Sequence, residues 1–298
     1  MRCESFVNNI KLKSRAKINL GIDVLKKRLD GYHEVKMVMQ EIDFYDNIEL
    51  VERRDGEEIQ LYSHCPYIPK DDSNIAVRAA ILIKEKFNIP WGLDIYLDKN
   101  IPVGAGLAGG SSNAAAVLRG LNHIWELNLS KEDLMEIGVQ LGADVPFCIM
   151  GGAAIAEGIG EKLTAIQGLK NTWIVLVKPY ISVSTVDVYR QLDLTKIKER
   201  PNIDGIVKAI KENNLYTLCS NMENVLETVT VMNYPIVSDL KKKMMGYQAI
   251  GSMMTGSGPT VFGIFKNYKQ AKSAYNNLKI INRQTYMVQI YSKGNYHE

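Results

Sequence analysis

Residues 101–125, IPVGAGLAGGSSNAAAVLRGLNHIW, form the stretch that decides the fold. Four glycines between Gly104 and Gly110 lead into a segment whose apolar residues recur at helical spacing. Because glycine has no Cβ, backbone N–H groups in such a loop can approach an anion closely, and the helix N-terminus adds partial positive charge. Ser111 and Ser112 place hydroxyl groups in the first helical turn, where a serine can also cap the helix. The segment predicts a phosphate site, and the alternative is a structural turn with a Ser cap.

The same glycines fit other nucleotide-binding motifs poorly. Gly104, Gly106 and Gly109 spell G-x-G-x-x-G after a short strand, as in dinucleotide-binding folds. That fold requires a second strand ending in an acidic residue about 20 positions on, whereas here the helical pattern continues past Trp125 into another helix. The sequence contains no G-x-x-x-x-G-K-[S/T] string and no H-R-D or D-F-G motif. A dinucleotide-dependent oxidoreductase therefore stays only as an alternative.

The composition is that of an ordinary globular protein. The chain has 298 residues, 46% hydrophobic and 23% charged, which indicates one large or two modest domains. Its 36 basic and 33 acidic residues give a net charge of +3. This balance does not require nucleic acid or an anionic membrane, but it permits an anionic substrate. We expect a small-molecule substrate, no nucleic-acid or membrane partner, and either a monomer or a homodimer.

The cysteines and histidines show no metal-ligand spacing, so we expect reduced thiols and no metal held by side chains. They are Cys3, Cys65, Cys148 and Cys219, and His33, His64, His123 and His297. The N-terminal residues lack the apolar core of a secretory signal, and no run of about 18 apolar residues could span a bilayer. These features predict a cytoplasmic protein.

Alternation of polar and apolar residues predicts a strand over residues 11–21. Lys17 and Asn19 fall on its polar face, and the plain interpretation is a solvated strand surface. The Asp-Gly turn signal of residues 29–33 follows, and then a strand-rich stretch over residues 35–51. This pattern indicates a hairpin or a meander.

Later elements follow from caps and periodicity, and together they favour an α+β chain with a domain boundary near residue 160. The predicted helices cover residues 75–87, 130–141, 203–213, 215–228, 235–245 and 267–279, and a further helix follows the glycine-rich loop, with Ser111 and Ser112 in its first turn and Trp125 near its end. The predicted strands cover residues 93–97, 153–156, 173–177, 248–254, 260–265 and 285–291, with a turn at Thr255-Gly256-Ser257-Gly258-Pro259.

Asp144 lies in a short loop at a helix end, in Gly142-Ala143-Asp144-Val145-Pro146. By itself such a residue is usually part of a turn. Phosphoryl transfer, however, requires a group that accepts the proton of the attacking hydroxyl, a cation near the developing charge, and a backbone cradle for phosphates. Asp144, Lys17 and the loop of residues 104–112 could supply one each.

Three segments of the chain resemble the GHMP kinase superfamily, named for galactokinase, homoserine kinase, mevalonate kinase and phosphomevalonate kinase. Ala16-Lys17-Ile18-Asn19-Leu20 resembles the family's N-terminal lysine motif. Pro102 to Ser112 resembles its glycine-rich loop, and Thr255 to Gly258 resembles its C-terminal glycine motif. The resemblance implies a ribosomal S5 domain 2-like N-terminal domain over residues 1–160 and a ferredoxin-like C-terminal domain over residues 161–298.

Further segments resemble the branch of this family that acts on 4-diphosphocytidyl-2-C-methyl-D-erythritol. They are Asp30-Gly31-Tyr32-His33, the Gly-Gly-Ser-Ser-Asn-Ala-Ala run and the loop of residues 142–146. The resemblance implies phosphorylation of the 2-hydroxyl of this cytidine diphosphate derivative by ATP with Mg²⁺, in the non-mevalonate pathway to isoprenoid precursors. A kinase for mevalonate, homoserine or a sugar is the alternative within the family.

The resemblance also implies a role for particular side chains. Asp144 becomes the general base, with Lys17 orienting it and assisting deprotonation. Substrate-binding residues are implied to be Asn19, Tyr32, His33, Thr185 and Tyr189, with the cytosine held by Tyr32, His33 and Tyr189. ATP-binding residues are implied to be Asn74, Pro102, Val103, Gly104, Ala105, Gly106, Leu107, Ala108, Gly109, Gly110, Ser111 and Ser112.

One residue of the glycine-rich loop departs from the family's pattern. Ala108 stands where many relatives carry a further glycine, so its methyl group is expected to stiffen the loop.

An RNA-binding protein that uses an S5-like fold is the non-enzymatic alternative. The low net charge and the absence of any of the six phenylalanines from a stacking motif argue against it.

Overall fold

The computed structural model describes residues 8–291, so Cys3 and His297 lie outside the described residues. The strands are β1 (Asn9–Lys27), β2 (His33–Arg53), β3 (Ile59–Tyr62), β4 (Gly92–Asp98), β5 (Ala153–Gly158), β6 (Lys162–Ala165), β7 (Trp173–Val177), β8 (Gly251–Met254), β9 (Val261–Phe265) and β10 (Thr285–Gln289). The helices are α1 (Ile75–Lys86), α2 (Gly109–Ile124), α3 (Lys131–Val139), α4 (Val145–Met150), α5 (Thr185–Gln191), α6 (Ile203–Lys211), α7 (Leu215–Asn221), α8 (Glu227–Asn233), α9 (Ile236–Gly246) and α10 (Tyr268–Ile281).

The chain folds into two compact units, and strands β1 and β2 are long enough to have residues in both. The first unit consists of residues 8–16, 45–103 and 108–150, and the second of residues 17–44, 104–107 and 151–291. The glycine-rich loop of residues 104–107 therefore belongs with the second unit, whereas helix α2, which follows it, belongs with the first.

The first unit contains a small sheet and helices α1 to α4, and α1 packs against β3. The second half of β2 pairs antiparallel with β4, and β4 pairs in parallel with β3. Helix α2 packs against α1 and α4, with Leu118 and Leu121 fully buried. Ser130 caps α3 in a reciprocal capping box with Asp133, as the spacing predicts.

The second unit contains two groups of strands. The first half of β2 pairs antiparallel with β5, which pairs with β6. A separate antiparallel sheet has the order β10-β7-β9-β8, and helices α9 and α10 pack on it. All five residues of β9 are buried, with Phe262 and Phe265 among the largest side chains of the core. Gly21 of β1 lies against Ile206 of α6, where a Cβ would meet the isoleucine side chain at 2.7 Å.

One predicted helix is wrong, because the structure interrupts it. The helix expected over residues 215–228 is interrupted: α7 ends at Asn221, residues 222–226 are not helical, and α8 begins at Glu227. Asn224 forms a parallel β-bridge with Ile22 of β1, so its backbone is engaged by another strand and cannot continue the helix. The short elements α4, α5, β3 and β6 were not predicted, because segments of four to seven residues carry little periodicity. In the described range no helix is both long and apolar enough to cross a membrane.

Candidate active site

Lys17 and Asn19 of β1 lie side by side in the second unit. Their side chains point the same way, as the alternation predicts, and the Lys17 Nζ donates a hydrogen bond of 2.8 Å to the Asn19 Oδ1. Lys17 is only 4% exposed and Asn19 is fully buried, so the plain interpretation of a solvated strand face is wrong. The Lys17 backbone N–H donates to the carbonyl oxygen of Leu107 at 3.1 Å. This bond ties the glycine-rich loop to β1.

The turn after β8 holds Asn19 in place. The Asn19 Oδ1 also accepts from the backbone N–H of Gly256 at 3.1 Å, and the Asn19 N–H donates to the Thr255 Oγ1 at 3.1 Å. The Thr255 hydroxyl lies 3.3 Å from the Asn19 Oδ1 and 3.4 Å from the carbonyl oxygen of Gly106. In the sequence this turn is marked only by its resemblance to the family's C-terminal glycine motif. The presence of two glycines, Gly256 and Gly258, within five residues is the feature of the sequence that could have identified this turn.

Gly106 lies backbone to backbone against this turn. Its φ is +74°, and a Cβ on it would overlap the carbonyl oxygen of Thr255 and come within 3.0 Å of the Gly258 oxygen. Gly104 has a similar φ of +62°, but nothing lies within 4 Å of its Cβ position. Close packing as well as backbone conformation therefore favours glycine at position 106, whereas conformation alone favours it at position 104.

Helix α2 in the first unit begins without a side-chain cap. Its N-cap residue is Ala108, which has a left-handed φ of +56° and makes no side-chain cap hydrogen bond. The alternative of a Ser-capped turn is therefore wrong. The Ser112 hydroxyl instead accepts a hydrogen bond of 2.8 Å from the Ser14 hydroxyl. Uncapped N–H groups at the start of a 16-residue helix favour an anion at this position.

A buried network centred on Asp46 supports this helix start. Asp46 is fully buried and forms an ion pair with Lys99, with 2.6 Å between Oδ2 and Nζ. The same carboxylate accepts from the Asn113 amide at 2.8 Å and from the backbone N–H of Ile101 at 2.8 Å. Asn113 also donates to the Ser14 hydroxyl. The network fixes both the chain before the loop and the first turn of α2, and no sequence pattern marked Asp46.

His33 and Tyr189 bring two aromatic rings together in the second unit. Gly31, at φ +88°, completes the Asp-Gly turn, and the Asp30 Oδ1 accepts from the Tyr32 N–H at 3.1 Å, so the predicted turn is confirmed. His33 follows as the first residue of β2. Its ring centroid lies 5.2 Å from that of Tyr189 on α5, with 36° between the planes. Tyr32 is 60% exposed.

Helix α5 also carries Thr185, one turn before Tyr189. The Thr185 Oγ1 and the Ser257 Oγ are 2.7 Å apart, so α5 is hydrogen-bonded to the same turn that holds Asn19. Among the residues expected to bind substrate, Asn19 and Thr185 thus meet at residues 255–257. His33 and Tyr189 form a second pair.

Two residues expected to act in the site lie in the first unit. Asn74 caps α1, accepting from the Ala76 N–H at 2.9 Å and donating to the Pro69 carbonyl oxygen at 2.8 Å, so its amide is used within the fold. Asp144 is half-buried and directly precedes α4, where its carbonyl oxygen accepts from the Cys148 N–H.

Comparison with known proteins assigns the family. Residues 74–152 match the model described as GHMP kinases N terminal domain, and residues 206–283 match the model described as GHMP kinases C terminal. A protein of Alkaliphilus metalliredigens named 4-diphosphocytidyl-2-C-methyl-D-erythritol kinase is 61% identical, over 98% of this chain and 100% of its own. This chain belongs to the GHMP kinase family.

Other members agree with this GHMP kinase assignment. A Clostridioides difficile protein of the same name is 53% identical over 96% of each chain. A solved structure of 4-(cytidine 5'-diphospho)-2C-methyl-D-erythritol kinase superposes with a TM-score of 0.80 at 29% identity, covering 95% of this chain and all of that one. A homoserine kinase from Cytophaga hutchinsonii shares the fold, with a TM-score of 0.77 at 19% identity over 97% of each chain. The expected kinase class and the two-domain GHMP fold are therefore confirmed, and neither the oxidoreductase nor the RNA-binding alternative is favoured.

The electrostatic surroundings of this GHMP kinase favour a neutral His33. Partial burial lowers the pKa of His33 below its ordinary value, and the positive charge of Lys27 lowers it further. A neutral imidazole keeps one ring nitrogen as a hydrogen-bond acceptor. Among residues 8–291, no three His, Cys, Asp or Glu side chains are grouped so that they could hold a metal ion.

We predict that Gly106→Ala destabilises the protein more than Gly104→Ala. Both substitutions place a Cβ on a left-handed residue, which costs roughly 1–2 kcal/mol. Only Gly106→Ala also forces a methyl group into the backbone of Thr255, and overpacking of this kind typically costs about 1–3 kcal/mol more. Urea unfolding of the two variants measures the difference. Equal free energies of unfolding would contradict the close packing of the loop on the turn.

We also predict that Lys27→Gln raises the pKa of His33, because it removes a nearby positive charge. An NMR titration of the His33 ring measures the shift, and Lys36→Gln, which removes a charge paired with Asp204, is the control. In the wild type the unfolded chain takes up the His33 proton first as pH falls. The contribution of neutral His33 to the free energy of unfolding is therefore fully present above the unfolded pKa of about 6.5 and is lost as the pH falls below it. Less of this contribution is lost in Lys27→Gln. An unchanged pKa would refute the role of Lys27.

Proposed function

We propose that this GHMP kinase transfers the γ-phosphoryl group of ATP to the 2-hydroxyl of 4-diphosphocytidyl-2-C-methyl-D-erythritol. The products are the 2-phosphate and ADP, in the non-mevalonate pathway to isoprenoid precursors. The names of the relatives at 61% and 53% identity support this substrate. The observation that carries the proposal is the pair of rings formed by His33 and Tyr189.

A cytosine is the substrate group that suits this pair. Aromatic side chains stabilise a stacked base by roughly 1–3 kcal/mol. Cytosine also presents an exocyclic amino group as a donor, and a neutral His33 offers the matching acceptor. Mevalonate and homoserine have no ring to occupy the position. Tyr32, next to His33 and largely exposed, is proposed as the third residue at the base.

Asp144 and Lys17 are proposed as the catalytic residues. In the reaction the substrate oxygen forms a bond to the γ-phosphorus, the bond from that phosphorus to the bridging oxygen of ADP breaks, and Asp144 accepts the proton of the hydroxyl. Lys17 supplies a fixed positive charge for the developing negative charge. The 2.8 Å bond to Asn19 supports this role, because it holds the ammonium in one orientation. Asn19 and Thr185 are proposed to line the substrate side.

ATP is proposed to bind the loop from Pro102 to Ser112, with Asn74 near the nucleotide. The uncapped start of α2 supports this assignment, because its amide groups are available to phosphate oxygens. The described residues offer no cluster of metal-ligating side chains. We therefore propose that Mg²⁺ enters as its complex with ATP, held chiefly by phosphate oxygens.

Three further expectations stay predictions. The division into domains at residue 160 is supported by the family matches, which lie on either side of it at residues 74–152 and 206–283. The second prediction is a cytoplasmic location, and the third is assembly as a monomer or a homodimer.

The substrate is tested by ADP release from Mg-ATP. We expect turnover with 4-diphosphocytidyl-2-C-methyl-D-erythritol and none with mevalonate, homoserine or galactose. 2-C-methyl-D-erythritol 4-phosphate is the matched control, since it keeps the reacting alcohol and lacks the cytidyl group. Equal turnover with that control would refute the cytosine pocket, and turnover with mevalonate or homoserine alone would refute the proposed substrate.

The catalytic roles are tested by Asp144→Asn and Lys17→Ala. Loss of a general base typically lowers a rate about 10²- to 10⁴-fold, so we expect kcat to fall by this order in Asp144→Asn and by orders of magnitude in Lys17→Ala. Nucleotide binding, measured with a fluorescent ATP analogue, is expected to persist. Asp239→Asn, on the exposed face of α9, is the control and should keep wild-type turnover. Undiminished turnover in either test variant would exclude the assigned role.

A further inference from the structure

Asn224 occupies a buried position between α7 and α8, beside strand β1. It is fully buried and forms a parallel bridge with Ile22. The Ile22 N–H donates to the Glu223 carbonyl oxygen at 2.9 Å, and the Val225 N–H donates to the Ile22 carbonyl oxygen at 3.1 Å. These bonds fix the Asn224 backbone next to β1, three residues beyond Asn19.

The carboxamide of Asn224 holds the turn after β8 on both sides of Thr255. Its Nδ2 donates to the carbonyl oxygen of Met254 at 2.8 Å and to that of Gly256 at 2.9 Å. Its Oδ1 accepts from the Leu226 N–H at 3.0 Å. With donors and acceptor all engaged, the amide has one orientation, and it fixes the peptide groups before and after Thr255.

Other side chains of the same segment also contact this turn. The Glu227 Oε1 accepts from the Met254 N–H at 2.6 Å, and the Glu227 Oε2 is paired with Lys241. The Thr230 Oγ1 donates to the Ser257 carbonyl oxygen at 3.1 Å. The segment from Asn224 to Thr230 thus holds residues 254–257 through three side chains, and none of them has a role in the proposed reaction.

The opposite side of the turn contacts the reaction machinery. The Gly256 N–H and the Thr255 hydroxyl both lie against the Asn19 Oδ1, which also accepts from the Lys17 Nζ. A continuous series of hydrogen bonds therefore runs from Asn224 through the turn and Asn19 to Lys17.

We propose that Asn224 is a positioning residue for phosphoryl transfer, acting through the turn of residues 254–256 on Asn19 and hence on Lys17. Removing its Nδ2 leaves two buried carbonyl oxygens without their donor, so the turn shifts and the Gly256 N–H leaves Asn19. Its kinetic test rests on the proposed function. Its geometry does not, because the series of bonds is formed whatever alcohol is phosphorylated.

The kinetic test compares Asn224→Ala with Asn221→Ala. Asn221 also donates from its Nδ2 to a backbone carbonyl oxygen, but this oxygen belongs to Thr217 and not to the turn. We expect kcat to fall at least tenfold in Asn224→Ala, with the Kd for Mg-ATP within twofold of the wild type, and no change in Asn221→Ala. Wild-type kcat in Asn224→Ala would overturn the proposal.

A double-mutant cycle with Asn19→Ala separates positioning from a general loss of structure. If Asn224 acts through Asn19, adding Asn224→Ala to Asn19→Ala lowers kcat less than twofold further. Independent effects that multiply would overturn the proposal, because they would show that Asn224 does not act through Asn19.

Hydrogen exchange at the Gly256 amide tests the geometry without any substrate. We expect exchange at least tenfold faster in Asn224→Ala and unchanged in Asn221→Ala. Asn224→Asp is the second variant in case the alanine variant does not fold, since it keeps the shape and replaces the donor by an acceptor. Unchanged exchange in the folded variant would overturn the inference. Absence of wild-type turnover on the cytidyl substrate would refute only the proposed function and leave this test valid.

Discussion

The carboxamide oxygen of Asn19 is the acceptor on which the proposed catalytic site depends in the second unit. It accepts a hydrogen bond of 2.8 Å from the Lys17 ammonium and one of 3.1 Å from the Gly256 N–H. Asn19 itself is fully buried. A buried ammonium is costly unless acceptors surround it, and hydrogen bonds are stronger at low local dielectric. The same oxygen therefore helps to offset the cost of burying Lys17 and to fix the direction of its charge.

That oxygen is held in place by backbone, which explains the glycines around it. The turn of residues 255–258 lies so close to the glycine-rich loop that a Cβ on Gly106 would overlap it, while Gly256 adopts a φ of +59° with its own Cβ position 3.0 Å from the Gly106 oxygen. Side chains would separate the two backbones. The family's two glycine motifs are thus joined by one packing constraint in this chain, and Lys17 is tied to the loop through Leu107.

The sequence predicted this arrangement only in part, and the reason is distance along the chain. Alternation placed Lys17 and Asn19 on one face, but burial of that face comes from a turn 236 residues away, which no local pattern reveals. Asp46 carried no signal either, because its side-chain partners Lys99 and Asn113 lie 53 and 67 residues from it. Local signals did better: Asp30-Gly31 and the capping box at Ser130 predicted their turn and helix start. Asn224 interrupts a helical pattern for a tertiary reason, its bridge to Ile22, and so the predicted helix over residues 215–228 was wrong.

The residues proposed to position the reacting groups are buried more deeply than those proposed to hold the base, and this difference has a physical reason. Phosphoryl transfer depends mostly on positioning and electrostatic stabilisation, so groups that meet the reacting atoms benefit from networks that permit a single geometry. Asp46 with Asn113 provides one such network in the first unit, and Asn224 with Asn19 provides another in the second. His33 and Tyr189 are only half-buried. A planar base, which we propose these rings hold, tolerates rings that adjust as it binds, whereas a catalytic charge misplaced by about 1 Å lowers the rate. This difference in tolerance matches the difference in burial between the ring pair and Lys17, the proposed source of that charge.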